Sequence, residues 1–308
     1  MTDFVALNNG GVRVVVTGAS GLIGSALVRS LVADGHAVLR LVRREPRAAD
    51  ERRWDPSSGE LDPTVMDAAD AVVHLAGAGI GDHRWTDAYK ETVLRSRVDS
   101  TTTIATSIAR STDPPKVLLS ASAVGFYGDT GDEAVDESAS GGSGFLADVV
   151  HRWETATAAA ESTGTRVVHA RSGVVLAAEG GALGKVLPLF KLGLGGRLGS
   201  GKQWMSWIAI ADHITALRFL LDRADVSGPV NVTSPEPVRN RDYTKAIGRA
   251  VHRPALAIVP APALRAALGG FADEGVLVSQ RVLPARLEDA GFLFTYADID
   301  SALTAIVG

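Results

Sequence analysis

Gly18, Gly21 and Gly24 stand at three-residue steps, behind the β-branched run Val14, Val15 and Val16 and ahead of an apolar helix pattern. Strand, glycine turn and helix in that order set backbone N–H groups at a helix N-terminus, an arrangement that takes a phosphate or diphosphate. Gly18, Ser20, Gly21, Leu22, Ile23 and Gly24 are therefore candidate contacts to a dinucleotide, and a side chain on Gly18 or Gly21 would obstruct its approach. The GxxGxxG spacing also occurs in an ordinary βα turn; the flanking strand and helix favour the nucleotide. Arg43 stands 19 residues beyond Gly24, where an acid that binds the ribose 2′-OH stands in NAD-type sites, about 20 residues on. An arginine there suits a 2′-phosphate through paired N–H donors. Arg43 and Arg44 thus favour NADP(H) over NAD(H); a solvated basic turn is the alternative. Farther on, Ser120, Ser122 and Tyr127 follow a buried run, and ligands in doubly wound sheets lie beyond the carboxyl ends of strands. Serines that merely terminate a strand are the alternative there. In the glycine-rich stretch Gly180–Gly201, Lys185, Lys191 and Arg197, with Lys202 just beyond it, suit an anionic small-molecule substrate; a basic solvated loop would look the same. Gln203, Trp204 and Trp207 read as pocket walls.

Elements must position these groups. Leu22, Ile23, Ala26, Leu27 and Leu31 repeat with helical spacing until Asp34-Gly35, a C-terminal stop. Strands are expected over Ala37–Val42, Asp70–Leu75, Lys116–Ser120, Arg166–Arg171 and Val230–Val232, and helices over Trp85–Ala109, Phe145–Thr163, Ala211–Asp222 and Arg241–Val251. Glu51–Asp67 reads as loop up to a short helical stub. The alternation predicts an α/β fold, a Rossmann-type doubly wound parallel sheet with a smaller C-terminal α/β substrate lobe. Residues 1–11 read as a disordered lead-in and 12–176 as an NADP-binding domain, with later returns of the chain to the sheet. Residues 177–308 read as a lid and substrate lobe, with the stretch from about 252 to 308 as its end.

A chain of 308 residues, 46% hydrophobic, can bury one large core or a nucleotide domain with a smaller lobe. It has no apolar run near the ~20 residues a membrane span needs, and its first residues do not resemble a signal peptide. Cytoplasmic residence is the default expectation. Without cysteine, thiolate metal ligands and a cysteine nucleophile are excluded, and no metal site is expected. A net charge of −4 gives no electrostatic case for nucleic acid. Monomer or homodimer is left open.

Thr17-Gly18-Ala19-Ser20-Gly21-Leu22-Ile23-Gly24 resembles the TGxxGxxG turn of extended short-chain dehydrogenases/reductases. His74-Leu75-Ala76-Gly77 is similar to their HxAG turn, which implies that Leu75, Ala76 and Gly77 pass beside the cofactor. Ser120-Ala121-Ser122-Ala123 resembles the active-site serine segment of the sugar-nucleotide epimerase branch, which implies that Ser122 bonds a substrate hydroxyl or carbonyl. That family carries a YxxxK pair, and counting back from Glu154 puts its slots at Leu146 and Val150, neither of which can move a proton.

Further segments are similar to an atypical subfamily of extended reductases, the predicted nucleoside-diphosphate sugar epimerases, nearly end to end. They are Arg84-Trp85-Thr86, Ser96-Arg97-Val98, Phe126-Tyr127-Gly128-Asp129, Arg152-Trp153-Glu154, Arg171-Ser172-Gly173-Val174 and Gly199–Ile208. The likeness implies Ser120, Arg171, Ser172 and Val174 at the cofactor, and Arg84, Trp85 and Ala123 toward substrate. Arg84, Lys90, Arg95 and Arg97 read as the wet face of their helix. As replacement proton donor, Tyr127 is expected ahead of Asp129 and His151, through a swing of its phenol toward Ser122. Three functions compete: an NADP(H)-dependent epimerase or oxidoreductase, a cofactor-bound sensor or scaffold without turnover, and a reductase needing hydride transfer alone.

Overall fold

A computed structural model describes residues 11–67 and 69–308. The lead-in expected over 1–11 lies, Gly11 apart, outside the described residues. β1 (Arg13–Thr17) is apolar on both pleat faces because helices cover both. Val14 and Val16 join one core with α1 (Leu22–Ala33), and Val15 joins another with α2 (Asp87–Arg110). Around β1 stand β2 (Ala37–Val42), β3 (Glu51–Arg53), β4 (Ala71–His74), β5 (Val117–Ala123), β7 (Arg166–Ser172) and β12 (Gly228–Val232). Their spatial order is β12-β7-β5-β4-β1-β2-β3, every neighbouring pair parallel. The order reverses between β1 and β4, so Thr17-Gly18 and His74-Leu75 frame the crevice where such sheets bind ligands.

Crossovers come from α1, α2, α3 (Phe145–Thr155) with the single turn α4 (Ala158–Glu161), and α6 (Ile210–Asp222). Leu217 and Leu220 on α6 and Leu27 on α1 are sealed in the first core, each burial contributing about 1.5–3 kcal/mol. The smaller lobe is assembled from short strand pairs. These are β6 (Ala134–Val135) with β15 (Arg281–Val282), β8 (Val174–Leu176) with β11 (Trp207–Ala209), β9 (Gly196–Leu198) with β14 (Ala257–Val259), and β10 (Trp204–Met205) with β13 (Val238–Arg239). α5 (Gly181–Lys191), α7 (Asn240–Ala250) and α10 (Ile299–Val307) pack around them, and α8 (Ala261–Leu268) leads into a π-helical turn, Ala272–Val276. With α9 (Ala285–Asp289) the chain returns to the main sheet, for Leu287 in it and Phe292 just after it lie in the first core.

Two expectations need correction. Glu51–Arg53 is an edge strand, not loop; its charges conceal it, but Glu51 is buried and held by arginines of β2 and the turn behind it. Phe145–Thr163 is not one helix. Thr157 Oγ1 donates to the Glu154 carbonyl at 2.8 Å and bonds His169 Nε2 at 3.0 Å, ending α3 early. The stretch Gly180–Gly201 is ordered as α5 and β9, and among the described residues no helix is long and apolar enough to cross a membrane.

Candidate functional site

The glycine turn fits a phosphate cradle for reasons of space. Gly18 has φ +66°, and a Cβ there would sit 2.7 Å from the Leu75 backbone. A Cβ on Gly24 would overlap the Gly18 carbonyl oxygen, so α1 starts tight against the turn. No acceptor among the described residues takes the amides of Leu22, Ile23 and Gly24, the unpaired N–H groups to which helix N-termini owe their affinity for anions. The turn forms one wall of a groove of about 620 Å³. Arg40–Arg44 close one end, Leu75–Ala78 the other, and Thr92, Ser96 and Ser100 of α2 line it too.

Two polar clusters hold these walls. His74 is fully buried, its ring between Thr17 Oγ1 at 2.8 Å and Ser100 Oγ at 3.1 Å. Thr17 Oγ1 accepts the Leu75 and Ala76 amides, so its proton goes to His74 Nδ1 and Nε2–H donates to Ser100. Burial lowers the His74 pKa to about 3, so the ring is neutral and structural. At the other end Arg44 makes a bidentate pair with Glu51, at 2.8 and 2.7 Å. That pair, then the Arg47 amide, lowers the Glu51 pKa to about 2. Arg43 lines the groove and has no acceptor among the described residues. Of the two expected grips on a 2′-phosphate, only Arg43 is therefore free.

At the carboxyl end of β5 the site residues form one buried chain of hydrogen bonds. Ser122 Oγ donates to Glu154 Oε1 at 2.6 Å, and Arg171 Nε and Nη2 reach the two Glu154 oxygens at 2.8 Å each. Arg171 Nη1 donates to Tyr127 Oη at 3.0 Å, and Tyr127 donates to Asn231 Oδ1 at 2.8 Å. Burial pushes the Glu154 pKa up, but the bonds from Arg171 and Ser122 outweigh it and hold the carboxyl below its usual range. Burial raises the Tyr127 phenol above its ordinary value. The structure links Tyr127 to Ser122 through two side chains but does not let it swing there: the phenol is buried and bonded on both sides. Ser122 itself is 4% exposed with its proton committed to Glu154. Leu146 and Val150, the positions where the resemblance leads one to expect an acid–base pair, set apolar groups against Gly125.

Other expected contacts divide. Ser172 and Val174 remain partly exposed at the carboxyl end of the sheet. Ser120 is sealed within it, and Arg171 spends its guanidinium on Glu154 and Tyr127 rather than on a cofactor. Trp207 is fully buried in the small lobe's core, with Nε1 on the Glu236 carbonyl, so it walls no pocket. Trp204 carries Arg239 and Arg281 at 4.5 and 4.6 Å from its ring, and its Nε1 donates to Asp132, so its surface is taken. Gln203 ties to the Leu198 carbonyl. Trp85 is buried among Phe145, Phe271 and Lys90, while Arg84 donates to the Ala266 carbonyl. Lys185 donates to the Gly81 carbonyl and to Asp82, a latch between α5 and the loop after β4. Ala123 stays partly open beside Ser122.

Sequence reasoning missed Glu51, the Glu154–Arg171 pair and Arg97. Arg97 leaves the wet face to lie against Gly77 and Trp153; both contacts come from elements distant in the chain, so local spacing carried no signal for it.

A parallel sheet with a glycine cradle at its switch point defines a Rossmann-type nucleotide-binding protein of the short-chain reductase kind. The chain belongs to the NAD dependent epimerase/dehydratase family, whose model matches residues 14–233, and a domain of unknown function, DUF1731, matches residues 259–306. It is 49% identical over 290 residues to the epimerase family protein Mb2239 of Mycobacterium bovis, covering 94% of this chain and 96% of that one. The crystal structure of the human epimerase family protein SDR39U1 (isoform 2) with NADPH is similar at TM-score 0.87 and 33% identity, over 96% of this chain and 99% of that one. A nucleoside-diphosphate sugar epimerase from Corynebacterium glutamicum follows at TM-score 0.81 and 39% identity, over 97% of this chain and 59% of that one.

Proposed function

We propose that the chain binds NADP(H) in the groove and acts as an epimerase or oxidoreductase on a hydroxylated, sugar-nucleotide-like small molecule. The observation that carries the cofactor choice is Arg43, a free guanidinium at the end of β2, beside Arg44 already spent on Glu51. The amides of Leu22 and Ile23 would hold the diphosphate. The relative with NADPH bound supports the same choice. When bound, the nicotinamide supplies or accepts a hydride. The chain's own part is orientation: Glu154 fixes the Ser122 proton inward, so Ser122 presents only lone pairs and suits accepting a hydrogen bond from a substrate hydroxyl. No side chain on α3 moves a proton at Leu146 or Val150, so substrate or water completes the proton balance.

Isothermal calorimetry with NADPH and NADH tests the cofactor. NADPH should bind the tighter, and Arg43→Ala should weaken it by about tenfold or more while leaving NADH nearly unchanged. Equal affinities in the native protein sink the assignment. A second reading, a sensor or scaffold that holds NADP(H) without turnover, is favoured by the apolar packing of Leu146 and Val150. Deuterium transfer from 4-deuterated NADPH into a cell-extract metabolite decides against it.

A further inference from the structure

Arg97 is a half-buried guanidinium in α2, one residue past the groove-lining Ser96. Its Nη1 donates to the Ala78 and Val93 carbonyls at 3.0 and 3.1 Å. The Trp153 ring lies 5.1 Å from its Cζ, and a Cβ on Gly77 would meet Cγ and Cζ at 3.5 Å, so stack and loop fix the guanidinium plane. No carboxylate among the described residues lies within ion-pair distance. Its neighbours on α2 turn elsewhere, Arg95 to Glu91 and Lys90 to the Trp85 and Phe145 rings. Nε and Nη2, the two donors on one edge of the plane, have no acceptor among the described residues and are not sealed from solvent. That edge is the fork that takes a carboxylate or phosphoryl group in two parallel bonds. Burial draws the Arg97 pKa down to about 10, and only Tyr89 opposes it, as for a desolvated cation without a counter-charge.

We propose that Arg97 is an oxyanion receptor beside the Gly77–Ala78 loop that lines the groove, binding a phosphoryl or carboxylate group side-on through Nε and Nη2. The oxyanion belongs either to the nucleotide, which rests on the NADP(H) reading, or to the substrate, which does not.

Protein labelled with 15N-arginine separates these sources. The Arg97 Nε–H resonance is assigned by its loss in Arg97→Lys, which keeps the charge and removes the fork. NADPH is added first, then sodium phosphate to the NADPH-loaded protein. A saturable shift with NADPH assigns the fork to a nucleotide phosphate; a shift only with phosphate assigns it to a substrate subsite. In either case calorimetry on Arg97→Lys should show about tenfold or more weaker binding of the same ligand. A resonance that moves with neither overturns the proposal. If calorimetry shows no NADPH uptake by the native protein, the nucleotide reading fails, and the phosphate arm alone decides on Arg97.

Discussion

At the scale of single residues, the buried chain from Ser122 to Asn231 has consequences for stability and not only for a site. Removing one partner of a buried ion pair strands the other, so Glu154→Gln should cost about 3 kcal/mol of unfolding free energy, read by urea denaturation. Tyr127→Phe should cost about 1–3 kcal/mol by the same measurement and leave NADPH affinity unchanged, because its hydroxyl serves Arg171 and Asn231 and faces no ligand. A loss of NADPH binding in that variant would return the phenol to the site. Three buried histidines set the acid limb. Burial lowers His74 to about 3 and His213 to about 4, and lowers His169 as well, from the ordinary 6.5. Below pH 6.5 the unfolded chain takes up protons that the folded one refuses. Stability from this source is therefore full above that pH and falls below it, by up to about 1.4 kcal/mol per pH unit for each ring. Urea midpoints at pH 7.5 and pH 5.0 should differ accordingly, and His74→Asn should shrink the difference; a flat profile contradicts the neutral assignments. The partners in these clusters are far apart in the chain, 32 positions between Ser122 and Glu154 and 104 between Tyr127 and Asn231. Local spacing therefore named the residues without revealing what they hold.

At the scale of elements, the strand, glycine turn and first helix were legible because their constraints are local. A two-faced apolar run, a residue at positive φ and a helical stripe lie within Arg13–Ala33. The helix over Phe145–Thr163 was legible in extent but not in its break, which depends on His169 of a later strand. β3 was illegible because Glu51-Arg52-Arg53 has the composition of a turn and gains its order from Arg40 and Arg44. Gly24 is the element's tightest point. Gly24→Ala should separate α1 from the turn, abolish NADPH binding in calorimetry and lower the melting temperature by several degrees. Gly21→Ala, whose Cβ would stand 3.3 Å from the Gly18 oxygen, should retain the fold with weaker binding. The opposite ranking would show that the helix, not the turn, yields.

At the scale of the whole molecule, the main core draws on both sides of the expected division near residue 176. β12 adds the sheet's edge beside β7, and Leu287 and Phe292 join the same core as Val14 and Leu217. A chain ending before Ala285 should fail to give a soluble folded nucleotide domain, and the full chain should unfold in one calorimetric transition; two separated transitions would restore the lobes as independent units. The late arrival of β12 also bears on synthesis. A growing polypeptide releases its N-terminal part first, so the glycine cradle leaves the ribosome long before the strand that completes its sheet. Until Gly228–Val232 emerges, β7 is an open edge with a row of unpaired amides and carbonyls, the kind of surface that recruits other nascent strands. A ribosome paused between those points would leave that edge uncovered, so the translation of residues 173–232 is an interval in which chaperone protection matters.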